Sequence, residues 1–187
     1  LGDNVEIELP TDERVPTVIT FIDQVVTQTQ AGEFIEVTLE VLNPEEIEAL
    51  REFMFRGGFV LVDDFWGPPH LDDMFMEMQK IFPDREIIQL DTNHEIFHMF
   101  FDIDELAQVP GRMVTWDFGG FMNIDDPKYP PEVYAVLDDD GRVMMVANYN
   151  TDLGDGWEHT FYERYPTKYT NEAYKIGINF LMYAFSH

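Results

Sequence analysis

Two adjacent aspartates close a continuously apolar stretch and could carry acid–base or metal chemistry. In the segment GFVLVDDFWGPPH, Asp63 and Asp64 follow four apolar residues and precede a glycine and two prolines. The apolar run predicts a buried parallel strand, and open α/β sheets bind ligands at the carboxyl ends of their strands. Because neighbouring strand residues point to opposite faces, we expect only one of the two carboxylates to face a cleft. The structural alternative is that one aspartate caps the next turn and the other is solvated.

Two histidines four residues apart form a second candidate site. The string HEIFH, with His94 and His98 at its ends, matches the HExxH pattern in which an α-helix presents both rings to zinc. Zinc proteases place this string within a long helix and add a third ligand downstream, whereas here the predicted helix is barely two turns long. A short string with three fixed positions also arises by chance. The sequence therefore leaves open a zinc site with these two ligands and gives little support to a protease.

A third candidate is the loop NYNTDLGDGWEHT, which spans residues 148–160. Oxygen ligands within such a loop suit calcium, but an EF-hand needs alternating ligands with glycine at the sixth position. Counting from Asn150, glycine falls at the fifth position and Asp155 at the sixth, so the EF-hand spacing fails. A calcium site of another kind stays open. The polar side chains that could bind metal or act as acids and bases are Asp152, Asp155, Glu158 and His159.

The same loop also has a structural interpretation. Asp152 and Asp155 can cap turns that the neighbouring glycines permit, while Trp157 anchors the loop on the core. Taken together, the three candidate regions predict one functional hypothesis, a hydrolase that uses carboxylates and histidines at the carboxyl ends of the strands. That hypothesis requires the side chains to converge on one pocket.

Composition excludes several classes of function. The 187 residues include 37 acidic and 11 basic side chains, for a net charge of −26, so binding to nucleic acid or to anionic membranes is not expected. The chain has no cysteine, which excludes disulfides, thiolate metal sites and a cysteine nucleophile. Ser186, near the end of the sequence, is its one serine and lies in no nucleophile-elbow pattern. No apolar run approaches the roughly 20 residues that span a bilayer.

The elements that must position these residues alternate between strands and helices. Two stretches rich in β-branched residues, joined at Ala31-Gly32, predict a long β-hairpin arm over residues 16–42. A helix follows, with Asn43 as its cap, a capping-box glutamate at position 46 and Gly57 as its stop. Further on, the sequence predicts a helix over 71–83, a strand over 86–90 and a hairpin that turns at residues 139–141.

A helix closes the sequence, with Thr170 as its predicted cap. Its predicted inward stripe consists of Ala173, Ile176, Gly177, Phe180, Leu181 and Ala184. Residues 94–103 fit either a short helix or a turn. The whole pattern predicts one α/β domain over residues 1–187, with a central, mostly parallel sheet flanked by helices.

Several uncommon strings occur here in one order over residues 43–187. They are ALREFMFRGGFVLVDDFWG, IFPDREIIQLDTNHEIFHMFFDI, QVPG, DDDGRVMMVANYNTDLGDGWEH and AYKIGINFLMYAFSH. Together they resemble a bacterial domain-of-unknown-function family, numbered 4159. The resemblance implies a flavodoxin-like fold similar to class I glutamine amidotransferases and a periplasmic or extracellular location, since its members carry a secretory signal. The family has no established catalytic residues whose roles could be assigned to positions in this sequence.

The sequence departs from that family in two places. The opening strand–helix unit has no clear counterpart, so the chain is interpreted as a fragment or a divergent member. The arm resembles an insertion, and an exposed arm of this kind can pair with another subunit. Amidotransferase chemistry is excluded, because it needs a cysteine nucleophile. The leading hypothesis is therefore an exported, non-catalytic domain that binds a partner or self-assembles through residues 16–42, and the hydrolase or metal-binding enzyme is the alternative.

Overall fold

An open sheet with helices on both faces forms the body of the protein. The computed structural model describes residues 42–111 and 129–187 in full, and residues 18–22, 24–28 and 34–38 by their backbone. The fully described strands are β4 (Phe59–Phe65), β5 (Ile88–Gln89), β6 (Glu132–Leu137) and β7 (Val143–Tyr149). The helices are α1 (Pro44–Phe55), α2 (Gly67–Ile81), α3 (Leu153–Glu158) and α4 (Thr167–Ser186). The prediction of an α/β fold is thus confirmed.

The sheet is mixed in direction. Strands β4 and β7 are parallel, while β6 runs antiparallel to both β7 and β5. The tight turn after β6 returns the chain directly into β7, which an antiparallel pair allows and a parallel pair does not. The hairpin that the sequence predicts around residues 139–141 is therefore confirmed.

Three backbone segments continue the sheet beyond β4. They are β1 (Val18–Ile22), β2 (Gln24–Gln28) and β3 (Phe34–Thr38). Strand β1 is parallel to β4, β2 is antiparallel to β1, and β3 is antiparallel to β2. The joint at Ala31-Gly32 lies outside the described residues, so the hairpin arm over 16–42 stays a prediction.

Helix α1 begins as its sequence predicts. The side chain of Asn43 accepts hydrogen bonds from the backbone N–H groups of Glu45 and Glu46, and Glu46 returns a bond to the backbone of Asn43. This reciprocal pair satisfies donors that the first turn would leave unpaired. After the helix, Gly57 adopts a φ of 101°, a left-handed conformation that glycine enters without strain.

Two helix boundaries differ from the predictions. Helix α2 begins at Gly67 rather than at residue 71. The two prolines lie in its first turn, where the backbone N–H groups have no partner within the helix, so the missing proline N–H costs little. Helix α4 begins at Thr167, and Thr170 is a buried residue inside it rather than its cap. Leu181 lies exposed on the outer face of α4, so its prediction as an inward residue is wrong.

The sheet separates two apolar cores. Helices α1 and α2 cover one face, where Met54, Met78 and Ile81 are buried. Helix α4 and the loop after β5 cover the other face, where Phe97, Phe180 and Tyr183 are buried. The strand residues between them are buried on both faces, so the carboxyl ends of β4 and β7 are held in fixed positions.

Helices α3 and α4 meet through glycines. A Cβ atom on Gly156 would lie 2.5 Å from the Cβ of Ala173, and one on Gly177 would lie 2.7 Å from the ring of Trp157. Contacts that short do not occur between real side chains. The absence of side chains at these two positions is therefore what lets α3 pack directly on α4.

We expect Gly156→Ala to lower the free energy of unfolding by about 1–3 kcal/mol, since the new methyl group overpacks the contact with Ala173. Chemical denaturation of both proteins measures the effect. Adding Ala173→Gly to the variant removes the opposing methyl group and should restore part of the loss. A double variant that is no more stable than Gly156→Ala would contradict the packing explanation.

Candidate functional site

A β-bulge at the end of β4 changes how its two aspartates are presented. The register of β4 against β7 shifts between Val62 and Phe65, and Asp64 adopts a φ of 60°. Across the gap, Asp64 donates its backbone N–H to Thr151, and Asn150 donates its own to Phe65. At the bulge Asp63 is buried, whereas Asp64 is half-buried and its Oδ1 accepts a hydrogen bond of 2.8 Å from Trp66 Nε1. Burial raises the pKa of both Asp63 and Asp152, and the nearby charge of Asp64 raises both further.

Asp63 is buried inside the protein, with 2% of its surface exposed. Its Oδ2 accepts a hydrogen bond of 3.0 Å from the backbone N–H of Gly154, and its Oδ1 accepts one of 3.2 Å from Asn148. Burial raises the pKa of Asp63 to about 8, against the lowering effect of the Gly154 bond. The side chain therefore ties the end of β4 to the start of α3 and keeps its proton near neutral pH.

The amide of Asn148 fits this protonated state. Within the described residues its Oδ1 is buried without a hydrogen-bond partner. Exchange of the amide oxygen and nitrogen by rotation of the side chain would bring that oxygen to Asp63. A protonated Asp63 then donates its O–H to the oxygen of Asn148, and the amide NH₂ takes the position that the oxygen held.

Asp152 begins α3 and is buried as well, with 4% of its surface exposed. Its Oδ1 accepts a hydrogen bond of 2.7 Å from the backbone N–H of Asp155, which confirms the predicted capping role. Burial raises its pKa well above the usual range, and the charges of Asp64, Asp63 and Asp155 raise it further. Negative charge at this position is thus disfavoured by both burial and like-charged neighbours.

Three further polar groups lie along α3 and at its end. His159 Nε2 lies 3.0 Å from Asp155 Oδ1, and both side chains are largely buried. One ligand atom from each of Asp155, Glu158 and His159 lies within 4.8 Å of the others. Residues three and four apart share a helix face, which explains this grouping. We call Asp63, Asp64, Asp152, Asp155, Glu158 and His159 the acidic site.

Two loop residues close over the acidic site. A Cβ atom on Gly111 would lie 3.1 Å from Asp152 Oδ2 and 3.5 Å from Asp155 Oδ2, so a side chain there would crowd Asp152. The Tyr165 hydroxyl donates a hydrogen bond of 2.8 Å to Pro110, and its ring lies 6.1 Å from that of His159. Sequence reasoning missed Gly111, Tyr165 and Asn148, because their neighbours in space are distant in the chain. The sequence contained a signal for Asn148 alone, because it lies near the end of a predicted strand, where α/β proteins place functional residues.

Asn150 supports the site from outside. Its φ of 56° is left-handed, a conformation that asparagine tolerates. The side chain accepts a hydrogen bond from the backbone of Gly67 and donates one to Pro130, both at 3.0 Å. Asn150 therefore joins the loops that follow β4 and precede β6, which is a structural role.

His94 and His98 lie elsewhere. They flank a 3₁₀ helix (Glu95–Phe97), on which residues four apart do not share a face. His94 Nδ1 accepts a hydrogen bond from Ile96, and His98 bonds to the carbonyl of Thr92 and to Asp102. The geometry on which the zinc hypothesis depends is therefore not formed.

The two histidines are also far from the acidic site. The ring of His94 lies 6.2 Å from Tyr183, whose hydroxyl accepts a hydrogen bond from Val143 at the start of β7. The acidic site lies at the other end of that strand, roughly 20 Å away at the usual rise per residue. The structure thus joins Asp63, Asp64 and the α3 loop but leaves the histidine pair at the opposite edge of the sheet.

Comparison with known proteins places the chain in a family. A search of curated proteins found no match. A family model does match, over residues 35–185, which covers the acidic site and most of the described chain. The family resemblance seen in the sequence is confirmed by that match: the chain belongs to the family described as a domain of unknown function, DUF4159.

Proposed function

We propose that the protein is an exported, non-catalytic binding domain that takes up a divalent cation at the acidic site. The observation that carries the proposal is the grouping of Asp155, Glu158 and His159, whose ligand atoms lie within 4.8 Å of one another. Such a set of carboxylate and imidazole donors at the end of a short helix is suited to a metal ion. The proposal that the protein is exported rests on the family resemblance.

The buried carboxyl groups behind these ligands strengthen the proposal. Burial raises the pKa of Asp63 and of Asp152, so their negative charge is unfavourable in this place. A cation bound nearby would offset that cost, because opposite charge favours the ionised form. The imidazole of His159 favours zinc over calcium, which prefers oxygen ligands alone.

We expect zinc at a concentration 100 times its Kd to stabilise the folded protein by about 2.7 kcal/mol by mass action. For a domain of this size the melting temperature would rise by about 5–10 °C. His159→Gln should abolish the rise, because it removes the nitrogen ligand. A thermal melt with zinc, calcium or magnesium added to the metal-free protein measures the effect.

His98→Gln is the matched control, since His98 lies at the opposite edge of the sheet and should leave the zinc effect unchanged. The proposal fails if zinc does not change the melting temperature, or if His159→Gln responds to zinc as the unmodified protein does. A response to calcium that needs the carboxylates but not His159 would identify the other metal.

A second candidate function is a hydrolase that uses the same site. The contact of 3.0 Å between His159 and Asp155 favours it, because a carboxylate that holds an imidazole is a common acid–base arrangement. Hydrolysis of glycoside or ester substrates that is lost in Asp155→Asn would support it. Metal uptake without hydrolysis would leave the binding domain as the function.

The finer fold and the arm also belong to the proposal. Strands β1, β4 and β7 lie side by side in parallel, with the acidic site at their carboxyl ends, which supports a flavodoxin-like or glutamine amidotransferase-like sheet. Strand β3 is the outermost strand of the described sheet and could pair with a second copy through the predicted arm over 16–42. Light scattering that shows a monomer at every concentration would rule out assembly by the arm.

A further inference from the structure

The outer face of α4 carries large apolar side chains that the described protein does not cover. Tyr174, Leu181 and Met182 are each 40–42% exposed, and Phe185 is 60% exposed. Ile178, which is half-buried, lies between them. These five residues follow one face of the helix, and we call them the outer stripe. In the adjoining loop, Phe100 is 66% exposed and donates its backbone N–H to Asn179 of the same helix.

The opposite face of α4 packs in the core of the protein. Its buried residues include Ala173, Ile176, Phe180 and Tyr183. A helix that is apolar on both faces is normally buried on both, whereas a surface helix has a polar outer face. None of the helices in the described ranges is long and apolar enough to cross a membrane. The outer stripe is an apolar surface that no described residue covers, as is expected of a helix that packs against another protein.

The charge of α4 is unlike that of the rest of the chain. The chain has a net charge of −26, but α4 contains two lysines and one glutamate. From Ile176 to the last residue there is no aspartate, glutamate, lysine or arginine. Elsewhere, two copies of the protein would meet with strong like-charge repulsion. At the outer stripe that repulsion is weakest.

We propose that the outer stripe binds the same stripe of a second copy, as an antiparallel pair of α4 helices. The spacing of the stripe is symmetric: Tyr174 and Phe185 are equally far from its midpoint, and so are Ile178 and Leu181. Under a two-fold axis at that midpoint, Tyr174 of one copy faces Phe185 of the other and Ile178 faces Leu181, as an isologous interface requires, while Met182 has no counterpart within the stripe. Steps of four, three and four residues are also those of packed helix pairs.

The available area is enough for a specific contact. At about 200 Å² for a large side chain, the four stripe residues that are 40–60% exposed provide roughly 370 Å² per copy, and half-buried Ile178 together with Phe100 of the adjoining loop brings this to roughly 500 Å². Two copies would bury roughly 1,000 Å², which is near the lower limit for a specific interface. The inference concerns a surface separate from the acidic site and from the predicted arm, and it stands if either proposal fails.

Sedimentation equilibrium tests the pairing. We expect a mass that rises towards twice 21.9 kDa with concentration, and a dimer favoured at 500 mM over 50 mM NaCl, since salt screens the remaining repulsion. Leu181→Glu and Phe185→Glu should weaken the dimer at least tenfold. Both positions are exposed, so the variants should fold, as circular dichroism and the melting temperature would show.

Phe161→Glu is the matched control, because Phe161 is 98% exposed and lies outside α4. It should associate as the unmodified protein does. A monomer at all concentrations and at both salt levels would overturn the proposal, as would a dimer that both α4 variants leave intact. The second result would assign the association to another surface, such as the arm.

Cross-linking tests the antiparallel register. Because the native sequence has no cysteine, any disulfide must form between the introduced residues. Ile178→Cys and Leu181→Cys are prepared as single variants and oxidised with glutathione disulfide, which takes the two electrons that each new disulfide releases. We expect an equimolar mixture to form a disulfide-linked dimer faster than either variant alone. Equal cross-linking in all three samples, and equally by Phe161→Cys, would contradict the register.

Discussion

Replacing Asn179 with leucine is expected to lower the free energy of unfolding by about 3–5 kcal/mol, which is a large part of the usual stability of a domain. Asn179 is completely buried in α4, on the side of the helix that meets the loop after β5. Its Oδ1 accepts hydrogen bonds of 2.9 Å from the backbone N–H groups of Phe100 and Phe101. Its Nδ2 donates to the carbonyl groups of Phe97 and Phe101, at 2.7 and 2.8 Å.

Leucine has a similar size but satisfies none of these four backbone groups. A buried polar group left without a partner costs about 1–3 kcal/mol, and movement of the loop towards water recovers part of the sum. For a domain of this length the melting temperature should fall by about 6–20 °C. Denaturant unfolding and a thermal melt measure the two effects.

Asn171→Leu is the control, since Asn171 is an exposed residue of the same helix and should change stability little. If Asn179→Leu unfolds in the same range as this control, the four hydrogen bonds do not hold the loop to α4. If the protein is too unstable to purify, Asn179→Asp gives a milder test. Burial keeps that carboxyl group protonated, and in this form it keeps both acceptor bonds and one of the two donor bonds.

The second large effect is expected from Asp63→Asn, which should stabilise the protein increasingly as the pH rises. The pKa of Asp63 is about 8 in the folded protein and near 3.8 in the unfolded chain, because burial disfavours its charge. Between those values the folded protein holds a proton that the unfolded chain has lost. The stability that Asp63 contributes is therefore fully present below pH 3.8 and is lost as the pH rises through about 8.

Asparagine at this position does not titrate, so the difference in stability should grow by up to about 1.4 kcal/mol per pH unit between pH 5 and 8. The amide can still accept the hydrogen bond from Gly154, and its NH₂ can donate to Asn148 Oδ1 once rotation of the Asn148 amide brings that oxygen to position 63. Denaturant unfolding of both proteins at four pH values gives the difference. Asp73→Asn, at an exposed carboxylate on α2, controls for the change in net charge. Stability curves that stay parallel for Asp63→Asn would show that Asp63 is ionised throughout.

Much of the fold was predictable because local signals agreed with the tertiary structure. The cap at Asn43 and the stop at Gly57 set the first helix, and the apolar run after it formed a buried strand. Helix α4 was harder. Its two faces are both apolar, so periodicity could not separate the face on the sheet from the outer stripe, and Leu181 was placed on the wrong side.

The candidate site was predictable in location and not in geometry. Asp63, Asp64 and the α3 loop were expected at strand ends, and they lie there. The bulge at Asp63 and Asp64 depends on backbone conformation, which composition and alternation do not encode. For the HExxH string the spacing was right and the predicted geometry was not formed, because the segment between His94 and His98 is a 3₁₀ helix and not an α-helix.

The two left-handed residues at the ends of β4 and β7 limit how the chain can vary among species. Asp64 and Asn150 hold φ angles of 60° and 56°, and the backbone bonds across the bulge depend on both. β-branched or bulky residues are strained in this conformation, whereas glycine, asparagine and aspartate are not. Relatives that keep this strand junction should therefore exchange only those three residue types at the two positions. Relatives with other residue types at these two positions should lack the bulge and the left-handed residue after β7.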